Sequence, residues 1–103
     1  MHRKARVLVN DKLAGILSEK ENEQYSFQYI DGYWGDPVSL TLPIKNIAYE
    51  FKHFPTFFEG LLPEGVMLEA LLRKYKIDSN DLFGQFIVIG QDVVGNISVE
   101  EIP

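Results

Sequence analysis

Two stretches of the chain have the outline of phosphate-binding loops, with glycines five apart: Gly60-Leu61-Leu62-Pro63-Glu64-Gly65 and Gly90-Gln91-Asp92-Val93-Val94-Gly95. A loop that cradles nucleotide phosphates follows its second glycine with Lys and then Ser or Thr, which hold the phosphates and the magnesium. Here Val66-Met67 and Asn96-Ile97 follow instead. Pro63 removes an amide donor and Glu64 adds repulsion where a phosphate would sit, so neither stretch reads as a nucleotide site.

The other chemistry-bearing residues are as sparse. His2 and His53 are the only histidines, far apart and without flanking ligands, and there is no cysteine, which removes zinc binding by thiolate. Ser18, Ser26, Ser39, Ser79 and Ser98 lie in no nucleophile-elbow context. Asp78 and Asp81 have a spacing compatible with an acid and base pair, but both stand where a helix begins, and capping accounts for them without catalysis. The expectation is a protein that is not an enzyme and holds no metal or cofactor.

The remaining concentration of chemistry is apolar. Phe57-Phe58-Glu59-Gly60-Leu61-Leu62-Pro63-Glu64-Gly65 sets two aromatics and two leucines beside a proline, more apolar density than a surface loop carries. Core packing is the competing reading for Phe57, Phe58, Leu61 and Leu62. For Glu64, Gly65 and Val66, at a helix start with free amides, a binding surface is the stronger reading. The second candidate surface is the loop Asp31 to Pro37, where Trp34 is either a lid on the sheet or a hot spot, with the lid favoured.

Composition bounds the partners. At 103 residues the chain fits one domain, spanning 1–103, that buries roughly two-thirds of its unfolded surface. With 46% hydrophobic and 24% charged residues it should fold by itself. A net charge of −5 argues against direct nucleic-acid binding, and the one basic cluster, His2, Arg3, Lys4 and Arg6, reads as a solvated strand edge. No signal-peptide core or membrane-length apolar run is visible, and a cytoplasmic location is expected.

The elements that would position these residues divide the chain in two. Val7 to Val9, a turn at Asn10-Asp11-Lys12, and Leu13 to Leu17 make a hairpin. Tyr25, Phe27 and Tyr29 alternate with Ser26 and Gln28, placing three aromatics on one buried face of a strand. Val38, Leu40 and Leu42 alternate likewise and predict a half-buried strand ending at Pro43. Pro63 then opens a helix with Leu68, Leu71, Leu72 and Tyr75 as an apolar stripe. Asp78 or Ser79 caps another, carrying Leu82, Phe83, Phe86 and Ile87 and stopping at Gly90. After a turn at Asp92 to Gly95 the chain runs into a strand from Asn96 to Ile102. The expected fold class is α+β: a small antiparallel sheet from the N-terminal half and the C-terminal strand, packed on two to three helices from the C-terminal half.

Three motifs in this order, Val38-Ser39-Leu40-Thr41-Leu42-Pro43, Phe57 to Gly65, and Gly90 to Gly95, resemble the N-terminal subdomain of the HipA family of toxin kinases over nearly the whole chain. The middle motif is the most specific. Kinases of that family carry their ATP-binding and catalytic segments after this subdomain, in regions absent from this sequence, so no kinase chemistry is carried over. In the split HipBST-type version a separate small protein (HipS) resembles this subdomain and neutralises a shortened kinase (HipT type), alongside a helix-turn-helix DNA-binding protein (HipB type). The present chain, starting at Met1 and closing after its last strand, is similar to that small component.

The resemblance implies an antitoxin-like protein that docks near the kinase cleft and acts sterically, without touching nucleic acid or membrane. By motif position the implied contacts are Phe57, Phe58, Leu61, Leu62, Pro63, Glu64 and Gly65; helix geometry adds Val66 and Met67. The alternative is an N-terminal fragment of a longer HipA-type kinase that contributes structure or dimer contacts. A third, weaker class is a DNA-associated accessory protein.

Overall fold

The computed structural model describes residues 2–90 and 95–103. Its order is β1 (Lys4–Val9), β2 (Lys12–Glu19), a single 3₁₀ turn (Glu21–Glu23), β3 (Tyr25–Tyr29), β4 (Tyr49–Phe51), α1 (Thr56–Glu59), α2 (Gly65–Tyr75), α3 (Leu82–Gly90) and β5 (Ile97–Ile102). The five strands form one antiparallel sheet in the order β4-β3-β2-β1-β5. The class is α+β, as expected. The segment Gln91 to Val94, and with it most of the third motif, lies outside the described residues.

The β1–β2 hairpin forms because Asn10 and Asp11 both accept positive φ, 52° and 65°, which a two-residue turn matching the twist of its strands requires. A register shift between Val7 and Leu8 follows. In β3 the period of two holds: Tyr25, Phe27 and Tyr29 are all buried and face the helices. Ala5, Val7, Val9, Leu17, Ile97 and Val99 complete the sheet's inner face, and Phe54, Phe58, Phe83, Phe86 and Ile87 cover it from the other side. At Gly15 the strands come so close that any Cβ would strike both the Phe27 ring and the Gln28 carbonyl.

Four expectations are corrected. Residues 38–42 are not a strand but a turn with an isolated Ser39–Leu42 bridge. Ser39 Oγ accepts the Thr41 amide at 3.1 Å and the Ser39 carbonyl accepts the Leu42 amide at 3.0 Å, a local bonding mode that competes with pairing to a neighbouring strand. Val38 and Leu42 are buried while Leu40, at the tip, is 95% exposed. The strand next to β3 is instead Tyr49–Phe51, further along the chain.

The helix predicted from Pro63 starts two residues later. Glu64 is extended (ψ 165°) and Gly65 has φ +59°, so right-handed helix cannot run back through them to the proline. For α3 the cap is Asp81, whose Oδ1 accepts the Gly84 amide at 3.0 Å; Asp78 instead accepts the Asn80 amide in the turn before it. Finally β1 is no sheet edge: it lies between β2 and β5, and Arg3, just before it, is engaged rather than solvated.

Candidate functional site

The segment from Phe54 to Met67 divides into an anchored half and an open half. Pro55 precedes the single turn of α1, and the Gly60, Leu61 and Leu62 amides bond back to the Thr56, Phe58 and Glu59 carbonyls, closing a compact turn. Phe58 is wholly buried, with its ring 5.0 Å from Phe86 and 5.8 Å from Phe27. Phe54 is buried against Phe83 and Phe86. Phe57 lies at the core's margin, 5.3 Å from Phe58. Leu61 and Leu62 are half-buried and touch the core; Pro63 is half-buried.

Past Pro63 the surroundings change. Glu64 and Gly65 are exposed, and Val66 and Met67 are 79% and 72% exposed. No residue of α2 is buried. Its stripe of Leu68, Leu71 and Leu72 is half-buried without joining the core cluster, and Tyr75 is exposed. The helix ends where Lys76 takes a left-handed conformation (φ 55°) and the Ile77 amide returns to the Leu72 carbonyl. An eleven-residue helix that buries nothing fully is marginal by itself.

Of the nine residues inferred to contact a partner, the fold therefore presents Glu64, Gly65, Val66 and Met67 outward on a base of Phe57, Leu61, Leu62 and Pro63. Phe58 is withdrawn from the surface, because its ring is spent on the core. The arrangement offers the exposed first turn of α2, with two apolar side chains and one carboxylate, which suits insertion into a concave partner.

Trp34 does not lie down as a lid. It is 78% exposed, with Lys12 Nζ 4.0 Å over its ring and donating to its carbonyl at 3.2 Å. The loop beneath it is held by Tyr33, which donates to the Asp36 carbonyl and stacks on Tyr29. Tyr29 in turn accepts the Val38 amide and donates to the Leu42 carbonyl. The sequence gives no sign of the Lys12–Trp34 contact, which joins the start of β2 to the loop at 31–37.

A cleft of about 580 Å³ opens where β2 ends near the start of α3, lined by Glu19, Glu23, Tyr25, His53, Asp78 and Asp81. Beside it Arg3 hydrogen-bonds Glu19 and Asp81 and holds both carboxyls below their usual range. With both local and Arg3 bonds assigned, the Asp78–Asp81 pair is accounted for as turn and cap. Among the described residues no group of three or more His, Asp or Glu is placed to hold a metal ion, and no helix is long and apolar enough to cross a membrane.

Comparison with known proteins agrees with the architecture. A family model described as HipA N-terminal domain matches residues 5–100. An uncharacterised protein of Haemophilus influenzae Rd is 26% identical over 99 residues, covering 96% of this chain and 92% of its own. A solved structure, the N-terminal domain of HipA toxin, superposes with a TM-score of 0.76 at 25% identity, covering 98% of this chain and 93% of that one.

Proposed function

As the chain belongs to the HipA N-terminal domain family, we propose that it is a non-catalytic, antitoxin-like protein of the cytoplasm that binds a HipA-like kinase and neutralises it by occupying space near its cleft. The observation that carries this reading is the stretch Glu64 to Met67, exposed to solvent and following directly on the turn at Leu61-Leu62 that the buried Phe58 anchors. Val66 and Met67 supply the apolar contact, Glu64 fixes polarity, and Phe57, Leu61 and Leu62 set the height of the turn above the sheet. A helix-turn-helix DNA-binding protein is a further member of the proposed complex.

The test is inhibition of the cognate kinase by the purified chain, with Glu64→Arg and Met67→Asp as variants. Both should keep the wild-type melting temperature and weaken binding at least about tenfold, equivalent to roughly 1.4 kcal/mol. Full inhibition by folded variants would refute the proposed surface.

A second reading, a structural part of a longer kinase, is favoured by the likeness to a domain of a HipA toxin. The two separate on one result: added to the kinase, the chain lowers activity in the first reading and leaves or raises it in the second.

A further inference from the structure

Arg3 joins parts of the fold that the sheet does not. Its backbone N–H and Nε donate to Glu19 Oε1 at 3.2 and 3.0 Å, and Nη2 donates to Glu19 Oε2 at 2.9 Å. On the other side Nη1 and Nη2 donate to Asp81 Oδ2 and Oδ1 at 3.1 and 2.8 Å, across 78 positions of sequence. The guanidinium also stands 5.0 Å from the centre of the Phe83 ring. Such a fork-shaped, doubly bonded pair fixes direction as well as distance. The other ion pair among the described residues that links two side chains, Lys20–Glu50, is a single exposed contact at 3.2 Å.

The Asp81 carboxylate is also the cap of α3, through the Gly84 amide. Gln85, buried, donates from Nε2 to the Asp78 and Ser79 carbonyls, so residues 78–85 form one stiff unit. From Phe83 an unbroken series of rings leads on: Phe54 at 6.4 Å, then Phe86 at 5.7 Å, Phe58 at 5.0 Å and Phe57 at 5.3 Å. Phe57 and Phe58 belong to α1, whose end closes the turn at Leu61-Leu62. Because α2 buries no residue, it contributes little to fixing the start of α3 or the turn.

We propose that Arg3 is a strap: by spanning Glu19 and Asp81 it holds the 78–85 unit against the sheet, and through the ring series it sets the position of α1 and the outer turn at 64–67. Breaking the strap loosens α3's start and α1 together and leaves the β1–β2–β3 ladder closed. The strap itself is independent of the kinase; only its effect on docking rests on the function proposed above.

Hydrogen–deuterium exchange on the full chain tests it. Arg3→Gln should raise exchange about tenfold or more in the hydrogen-bonded amides of 84–86 and of 59–62, with those of β1, β2 and β3 unchanged. Arg3→Lys, which keeps the charge and loses the fork, should fall between, and Lys20→Gln should change neither region. A rise confined to the neighbours of Arg3, or one spread evenly over the sheet, overturns the strap. Kinase binding is then measured on the same variants. If exchange spreads to 59–62 but binding holds, the strap stands and the docking surface fails; if exchange does not spread, the strap fails whatever the binding.

Discussion

Gly15 and Phe27 share one space: a Cβ at position 15 would come within 2.7 Å of Phe27 Cζ and 2.5 Å of the Gln28 carbonyl oxygen. Gly15 sits in β2 between two paired strands and Phe27 is wholly buried, so neither can withdraw. Gly15→Ala should therefore destabilise by about 1–3 kcal/mol through overpacking. Urea denaturation reads this as a lower midpoint with an unchanged slope. A midpoint at the wild-type value would contradict the close approach of β2 and β3.

Acid should weaken the fold through Glu19 and Asp81. Hydrogen bonds from Arg3 hold both carboxyls below their ordinary values of 4.5 and 3.8. A depressed folded-state pKa adds stability that is fully present above the unfolded value and is lost as pH falls through the folded one. Melting temperatures taken from about pH 7 down to about pH 3 should drop in the acid limb, and Arg3→Gln should flatten that part of the curve. An acid limb of equal steepness in the variant would show that other groups govern it. Both carboxylates are partly solvated, so the effect is smaller than for a sealed pair.

Two positions eight residues apart should respond very differently. Phe58→Ala empties the centre of the aromatic cluster and should cost roughly 3–5 kcal/mol, a large share of the stability of a domain this size. Val66→Asp, on the exposed turn, should stay within about 0.5 kcal/mol of wild type. Thermal unfolding of the pair decides it: a comparable loss in Val66→Asp would mean that α2 is bound into the core.

The single tryptophan reports on its own loop. Trp34 should emit as a water-exposed indole, with polarisation higher than a free loop gives, because Lys12 clamps ring and carbonyl. Lys12→Ala should lower the polarisation at a stability cost within about 1 kcal/mol. Blue-shifted emission from the wild type would place the indole under cover, contrary to the structure.

Legibility in the sequence followed the range of the forces involved. Tyr25-Phe27-Tyr29 could be read because alternation and burial act over neighbouring residues, and Asn10-Asp11 because few residues accept positive φ. At 38–42 the same alternation misled, since Ser39 takes the Thr41 and Leu42 amides and Tyr29 takes the Val38 amide and the Leu42 carbonyl, groups a strand would use for pairing. Tyr49-Glu50-Phe51 alternates too, but over three residues the pattern carries no weight. Both Asp78 and Asp81 have cap chemistry; only the path of the chain assigns the cap to Asp81. At the site, residue types marked the segment 57–67 but not its division, because which ring of Phe57 and Phe58 turns inward depends on Phe27 and Phe86. The Arg3 contacts, 16 and 78 positions away, leave no local trace.

The placement of β1 between an immediate neighbour and a very distant one governs how the chain matures. Its hairpin partner follows at once, whereas β5 supplies its other edge only after residues 97–102 have been synthesised. Until then a nascent polypeptide displays one flank of Lys4–Val9 with amides and carbonyls unanswered, open to pairing with any passing extended segment. The alternating Lys4, Arg6 and Leu8 on the side facing away from the core make that interval safer, since two like charges repel a second copy of the same strand.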